Sequence, residues 1–72
     1  MVKFYFINED LCFEELFDIA LDINDPKLIQ LVNESWIAYL RWCRDNDRIY
    51  SLTDPRYAHD FISNCVALFN AD

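Results

Sequence analysis

The stretch that decides the fold is NEDLCFEELFDIALDIND, from Asn8 to Asp25. Its acids recur every four residues, and most positions between them are apolar. Residues four apart lie above one another on a helix, so the pattern predicts an amphipathic helix that starts at an Asn8 N-cap and ends near Asn24. One column of carboxylates then lies opposite an apolar face, and it contains Asp10, Glu14, Asp18 and Asp22.

This column has a physical cost. Residues 1–25 contain seven acids and one base, whereas residues 26–72 contain six acids and five bases, so the first third holds most of the net charge of −7. Like charges at positions i and i+4 destabilise a helix by roughly 0.2–0.5 kcal/mol per pair, and no Lys or Arg interrupts the column. The pattern therefore indicates a cationic partner. A solvated acidic face, which is common in soluble proteins, is the alternative interpretation.

The spacing of the column also suggests what the partner binds. Four residues of helix rise about 6 Å, close to the spacing of phosphates along one nucleic-acid strand, so the carboxylates could imitate a phosphate row. Leu11 and Leu21 fall inside the acidic arc, where they could act as apolar anchors. The predicted partner-binding residues are Asp10, Leu11, Glu14, Glu15, Asp18, Leu21, Asp22 and Asp25.

The rest of the chain predicts two more helices. An Asp-Pro pair is typical of a helix start, and two such pairs predict helices from Pro26 to about Arg44 or Asp45 and from Pro55 to about Asn70. Residues 2–7 are rich in strand formers and could pair with residues 48–52, which would give a βααβα order. We expect a mainly α, compact three-helix domain spanning residues 1–72, with or without that short two-strand pairing.

The composition argues against catalysis and cofactor binding. The chain has no glycine, which excludes phosphate-binding loops and nucleophile elbows. Cys12, Cys43 and Cys65 fall on apolar helix faces without metal-ligand spacing, so we expect buried free thiols in a reducing compartment. His59 projects away from Cys65 on the third predicted helix and is interpreted as a surface residue. We therefore expect no enzyme activity, no metal and no cofactor.

The charge and the apolar pattern limit the choice of partner and compartment. No apolar run has the length of a membrane span, and MVKFYFINED turns acidic too early for a signal peptide, so we expect a cytoplasmic protein. An acidic chain is unsuited to direct binding of nucleic acid or of an anionic membrane. The expected partner is a basic protein, such as an enzyme or complex that handles nucleic acid.

In size, acidity and one-sided charge, the chain resembles phage counter-defence proteins that act as DNA mimics, including anti-CRISPR and anti-restriction proteins. The resemblance is one of composition and size, and it implies a non-enzymatic inhibitor that docks its acidic helix onto a basic nucleic-acid-binding surface. The chain is also similar to immunity proteins or antitoxins that neutralise a nuclease toxin. A third hypothesis is a structural or adaptor subunit that acts through an apolar Leu31/Trp42 face, which could also support a homodimer.

Overall fold

The computed structural model describes residues 11–71, which form three helices joined by two connections. They are α1 (Phe13–Ile23), α2 (Pro26–Asp45) and α3 (His59–Asn70). The expected mainly α, compact three-helix architecture is confirmed. The expected strand pairing is not supported, because residues 11–71 contain no strand and residues 48–52 have no regular structure. Its other half, residues 2–7, lies outside the described residues.

The corner between α1 and α2 forms as the sequence predicts. Asn24 ends α1 with a left-handed backbone (φ 57°), and its N–H donates to the Ala20 carbonyl at 3.0 Å. Asn tolerates this conformation better than most residues, so it closes the helix without glycine. The Asp25 carboxylate then accepts hydrogen bonds from the Lys27 and Leu28 N–H groups at 2.9 and 3.3 Å, with Pro26 in the first turn of α2. A two-residue corner results.

The start of α1 differs from the prediction. Leu11 and Cys12 are buried and not helical, so the helix begins at Phe13 and Asn8 is not its N-cap. Cys12 occupies the N-cap position without a side-chain hydrogen bond. Instead, the Glu14 N–H donates to the Leu52 carbonyl at 3.0 Å. A helix N-terminus leaves backbone donors without partners, and here a remote loop satisfies one of them.

The start of α3 also differs from the prediction. The Asp54 carboxylate accepts hydrogen bonds from the Arg56 backbone N–H at 3.0 Å and from its guanidinium at 2.9 Å. Residues 56–58 form a turn, closed by a hydrogen bond from the His59 N–H to the Pro55 carbonyl at 3.0 Å. The helix therefore begins four residues after Pro55, at His59.

The core is organised around α2, which packs against both other helices. Phe13 of α1 contacts Trp36 and Tyr39, with ring centroids 5.2 and 5.4 Å away, and Phe61 of α3 lies 5.8 Å from Tyr39. Trp42 packs on the α3 side, 6.2 Å from Phe61. The prediction of buried free thiols is confirmed, since Cys12, Cys43 and Cys65 are all buried and unpaired.

The loop between α2 and α3 is attached to the helices although much of it is exposed. The Ser51 N–H donates to the buried Tyr39 hydroxyl at 3.2 Å, next to the bond between Leu52 and Glu14. Ile49 is nevertheless 90% exposed and Tyr50 60% exposed. The segment offered as the pairing partner of residues 2–7 is therefore an irregular loop whose side chains mostly face solvent.

Candidate functional site: an acidic ridge on α1

The outer side of α1 carries only exposed side chains. Glu14, Glu15, Asp18 and Asp22 all point to solvent, and Leu21 beside them is 64% exposed. We call these five residues the acidic ridge. The opposite side of the helix is buried and consists of Phe13, Leu16 and Ala20. The predicted amphipathic arrangement is thus present from Phe13 to Ile23, and the carboxylates of Glu14 and Asp22 are separated by about 12 Å of helix rise.

No arginine of residues 11–71 forms an ion pair with a carboxylate of the acidic ridge, and the last turn of α1 contains no base. Arginine side chains of the same region do pair with acids elsewhere, as in Arg44–Asp45 at 3.5 Å and Arg56–Asp54 at 2.9 Å. The charged side chains of the acidic ridge are therefore all of one sign.

Two residues of the predicted partner-binding set, Leu11 and Asp25, do not belong to this surface. Leu11 is 5% exposed and packs in the core, so the prediction that it lies in the exposed acidic arc is wrong. It was placed in the acidic arc by extending the helix through residues that are not helical. Asp25 is half-buried and uses its carboxylate to cap α2. Asp10 lies outside the described residues.

A depression of about 450 Å³ borders the acidic ridge. Among the described residues, its lining consists of Asp18, Ile19, Leu21 and Asp22. Two carboxylates thus flank two aliphatic side chains. A long Lys or Arg side chain matches such a lining, because its stem is apolar and its end is charged.

A second charged region lies in the loop before α3, and sequence reasoning missed it. The Arg48 and Arg56 guanidinium carbons lie 5.4 and 5.8 Å from the centre of the Tyr57 ring. The hydrogen bonds from Arg56 lower the pKa of Asp54, and Asp54 in turn raises the pKa of Arg56. The close spacing of Asp54 and Arg56 was the available signal. Asp47 also lines the depression of about 400 Å³ at this point, so charges of both signs are present.

The described side chains offer little reactive chemistry. Burial raises the pKa of the Cys65 thiol, although a hydrogen bond with Ser35 opposes the rise, so the nucleophilic thiolate is disfavoured. His59 is half-buried rather than a surface residue, and its Nδ1 has no hydrogen-bond partner among the described residues. Residues 11–71 contain no cluster of three or more His, Cys, Asp or Glu side chains that could hold a metal ion.

The predicted Leu31/Trp42 face is partly covered. Trp42 is half-buried against Tyr57 and Phe61, with ring centroids 5.5 and 6.2 Å away. Leu31 is half-buried at a groove between α2 and α3. The two residues therefore do not form a continuous exposed apolar surface, because α3 packs over much of Trp42.

The helices of the described residues were also considered as membrane spans, and the chain was compared with known proteins. No helix formed by residues 11–71 has both the length and the apolar character needed to cross a bilayer. Comparison with known proteins finds no matching family, no matching curated protein and no matching solved structure.

Proposed function

We propose that this protein is a small, non-enzymatic inhibitor that binds a basic protein through its acidic ridge. The partner would be a nucleic-acid-handling enzyme or complex, and the ridge would occupy the surface on which nucleic acid normally lies. The observation that carries the proposal is the exposure of Glu14, Glu15, Asp18 and Asp22, none of which forms an ion pair with an arginine of residues 11–71.

The electrostatics of the ridge suit such a partner. Nucleic-acid-binding surfaces are rich in Lys and Arg, because these side chains neutralise the phosphates of the bound strand. A convex row of carboxylates separated by about 6 Å of helix rise can meet several of these cations together. Charge complementarity of this kind raises the association rate and makes it sensitive to salt.

Leu21 gives the ridge a component that salt does not screen. It is 64% exposed between acids, at the edge of the depression that Asp18 and Asp22 also line. In many interfaces, a central apolar side chain surrounded by charged residues contributes much of the affinity, whereas the charges mainly raise the association rate. We expect Leu21→Ala to increase the dissociation rate and to leave the salt dependence of association unchanged.

The test compares two variants with equal charge change. D18K/D22K reverses two ridge acids, and D45K/D60K reverses two exposed acids outside the ridge. Each variant and the wild-type chain would be used to capture partners from the native host, with elution by increasing salt and identification by mass spectrometry. We expect the wild type and D45K/D60K to retain a basic nucleic-acid-binding protein and D18K/D22K to lose it. Equal retention by both variants would refute the proposal.

Competition with nucleic acid distinguishes mimicry from the immunity-protein or antitoxin alternative. DNA or RNA that fits the purified partner should displace an inhibitor bound at the nucleic-acid site. An immunity protein or antitoxin bound away from that site would remain bound in the presence of nucleic acid. If instead Trp42→Ala abolished partner binding and D18K/D22K did not, the adaptor hypothesis would replace the ridge hypothesis.

A further inference from the structure

The outer side of α2 carries a charge pattern that is complementary to itself. Glu34 and Arg41 are both exposed, and they lie on one stripe because seven residues make nearly two helical turns. Between them lie Ile37, which is 49% exposed, and the small, exposed Ala38. Within residues 11–71, the only hydrogen bond that the Glu34 carboxylate accepts comes from the Gln30 side-chain amide at 3.3 Å. Neither Glu34 nor Arg41 forms an ion pair in the same part of the chain.

A second copy of this chain matches that pattern. A two-fold axis that crosses α2 between Ile37 and Ala38 places two α2 helices antiparallel, with Glu34 of each level with Arg41 of the other. Both ion pairs then form at once, as required of an interface that uses the same surface on both subunits. The small Ala38 side chain at the axis allows the two helices to approach closely.

The position of this face limits the repulsion between two acidic molecules. Ala38 comes two residues after Trp36, about 200° around the helix, so it points nearly opposite to the side that packs against α1. Next to it, a groove of about 160 Å³ runs between α2 and α3, bordered by Leu31 and by Leu68, which is 49% exposed. The face thus offers apolar area on the side of α2 away from the acidic ridge.

We propose that the chain forms a two-fold symmetric homodimer through the outer side of α2, held by reciprocal Glu34–Arg41 ion pairs across Ala38. The apolar Ile37, Leu31 and Leu68 surround these pairs. The inference does not depend on the function of the acidic ridge. The ridge lies on α1, whereas the dimer surface is the side of α2 that points away from α1. A dimer of this form carries one ridge on each outer side.

Sedimentation velocity on the full chain, from micromolar to millimolar concentration, tests the dimer. We expect E34R and R41E each to weaken dimerisation by roughly tenfold or more, because both ion pairs become like-charge contacts. E34R is the sharper variant, since it reduces the net negative charge and would strengthen any non-specific association. N33R, an exposed substitution on the same helix, is the matched control and should dimerise at least as well as the wild type.

Mixing the two weakened variants gives the decisive result. An equimolar mixture of E34R and R41E should dimerise with about the wild-type affinity, because one ion pair then keeps its wild-type charges and the other forms with its charges exchanged. In the double variant E34R/R41E both ion pairs form with their charges exchanged, so this variant should dimerise by itself. A monomeric wild-type chain, a dimer that tolerates E34R and R41E, or a mixture that stays monomeric would each overturn the proposal.

Discussion

The acidic ridge of α1 and the region from the end of α2 to the start of α3 use their carboxylates differently. In the second region Asp45 and Asp54 each have an arginine within ion-pair distance, and Asp54 also accepts a backbone hydrogen bond. In the first, the exposed acids have no such partner among residues 11–71. Arginine therefore pairs with Asp45 and Asp54, whereas no arginine of residues 11–71 forms an ion pair with the ridge, where neighbouring like charges destabilise α1.

Asp25 lies between these extremes, at the end of the acidic stretch. Its carboxylate is used for folding, because it accepts two backbone hydrogen bonds at the start of α2. Within residues 11–71, Asp25 thus caps a helix, Asp45 and Asp54 pair with arginine, and the ridge acids form no ion pair with an arginine.

The largest change in the free energy of unfolding is expected on the buried side of α1. Phe13 is fully buried among Phe17, Trp36 and Tyr39, so Phe13→Ala should lower the free energy of unfolding by about 3–5 kcal/mol, enough to unfold a domain of this size. Phe13→Leu should remain folded with a loss below about 1.5 kcal/mol. Urea denaturation followed by circular dichroism measures both. Equal stability of Phe13→Ala and wild type would mean that α1 does not contribute to the core.

The cap at Asp25 should give the next largest effect. Asp25→Ala removes the acceptor of two N–H groups and should lower the free energy of unfolding by about 1 kcal/mol, whereas Asp25→Asn should recover most of that loss. The same urea experiment measures both variants. If Asp25→Ala were as stable as the wild type, Asp25 would belong with the unpaired acids of the ridge.

Replacement of a ridge acid should change the free energy of unfolding in the opposite direction. Asp22 lies in the last turn of α1, four residues after Asp18, so both the helix dipole and a like charge act against it. Asp22→Lys should raise the free energy of unfolding by about 0.3–1 kcal/mol and, under the proposed function, weaken partner binding. Asp45→Lys is the control, because it removes an acid that has its own arginine. A loss of stability in Asp22→Lys would show that the ridge acid supports folding.

The smallest effect is expected at Asp54 and concerns its titration. Because Arg56 lowers the folded-state pKa of Asp54 below its ordinary 3.8, this carboxylate stabilises the fold above that pH. The contribution disappears as the pH falls through the lower folded value. In Arg56→Gln the pKa of Asp54 should return toward 3.8, as measured by carboxyl NMR titration. An unchanged pKa would mean that the Arg56 contact does not persist in solution.

Helix starts show where sequence reasoning succeeded and where it did not. The start of α2 was predicted correctly because its cap, Asp25, and its proline are adjacent in sequence. The start of α1 was predicted too early, because the acceptor for the Glu14 N–H is the Leu52 carbonyl, which is remote in sequence. At α3, Asp54 has the same Asp-Pro pattern as Asp25, but its carboxylate is engaged by Arg56 in a turn.

The same contrast applies to the candidate site. Exposure of Glu14, Glu15, Asp18 and Asp22 followed from helical spacing, because four-residue periodicity determines which side faces outward. Leu11 was assigned to the surface because the same periodicity was extended past the helix end. The pairing of Arg48 and Arg56 on Tyr57 depends on how the loop folds back, which spacing along the chain does not encode.

The hydrogen bond between Glu14 and Leu52 has a consequence for how the molecule opens. It joins the first turn of α1 to the loop before α3, and the adjacent bond from Ser51 to Tyr39 joins that loop to α2. Release of the loop therefore exposes the Glu14 amide, and fraying of α1 loosens the loop. Amide hydrogen exchange at these positions should proceed at matched rates, so the ridge helix opens in one cooperative unit with a segment far away in the chain.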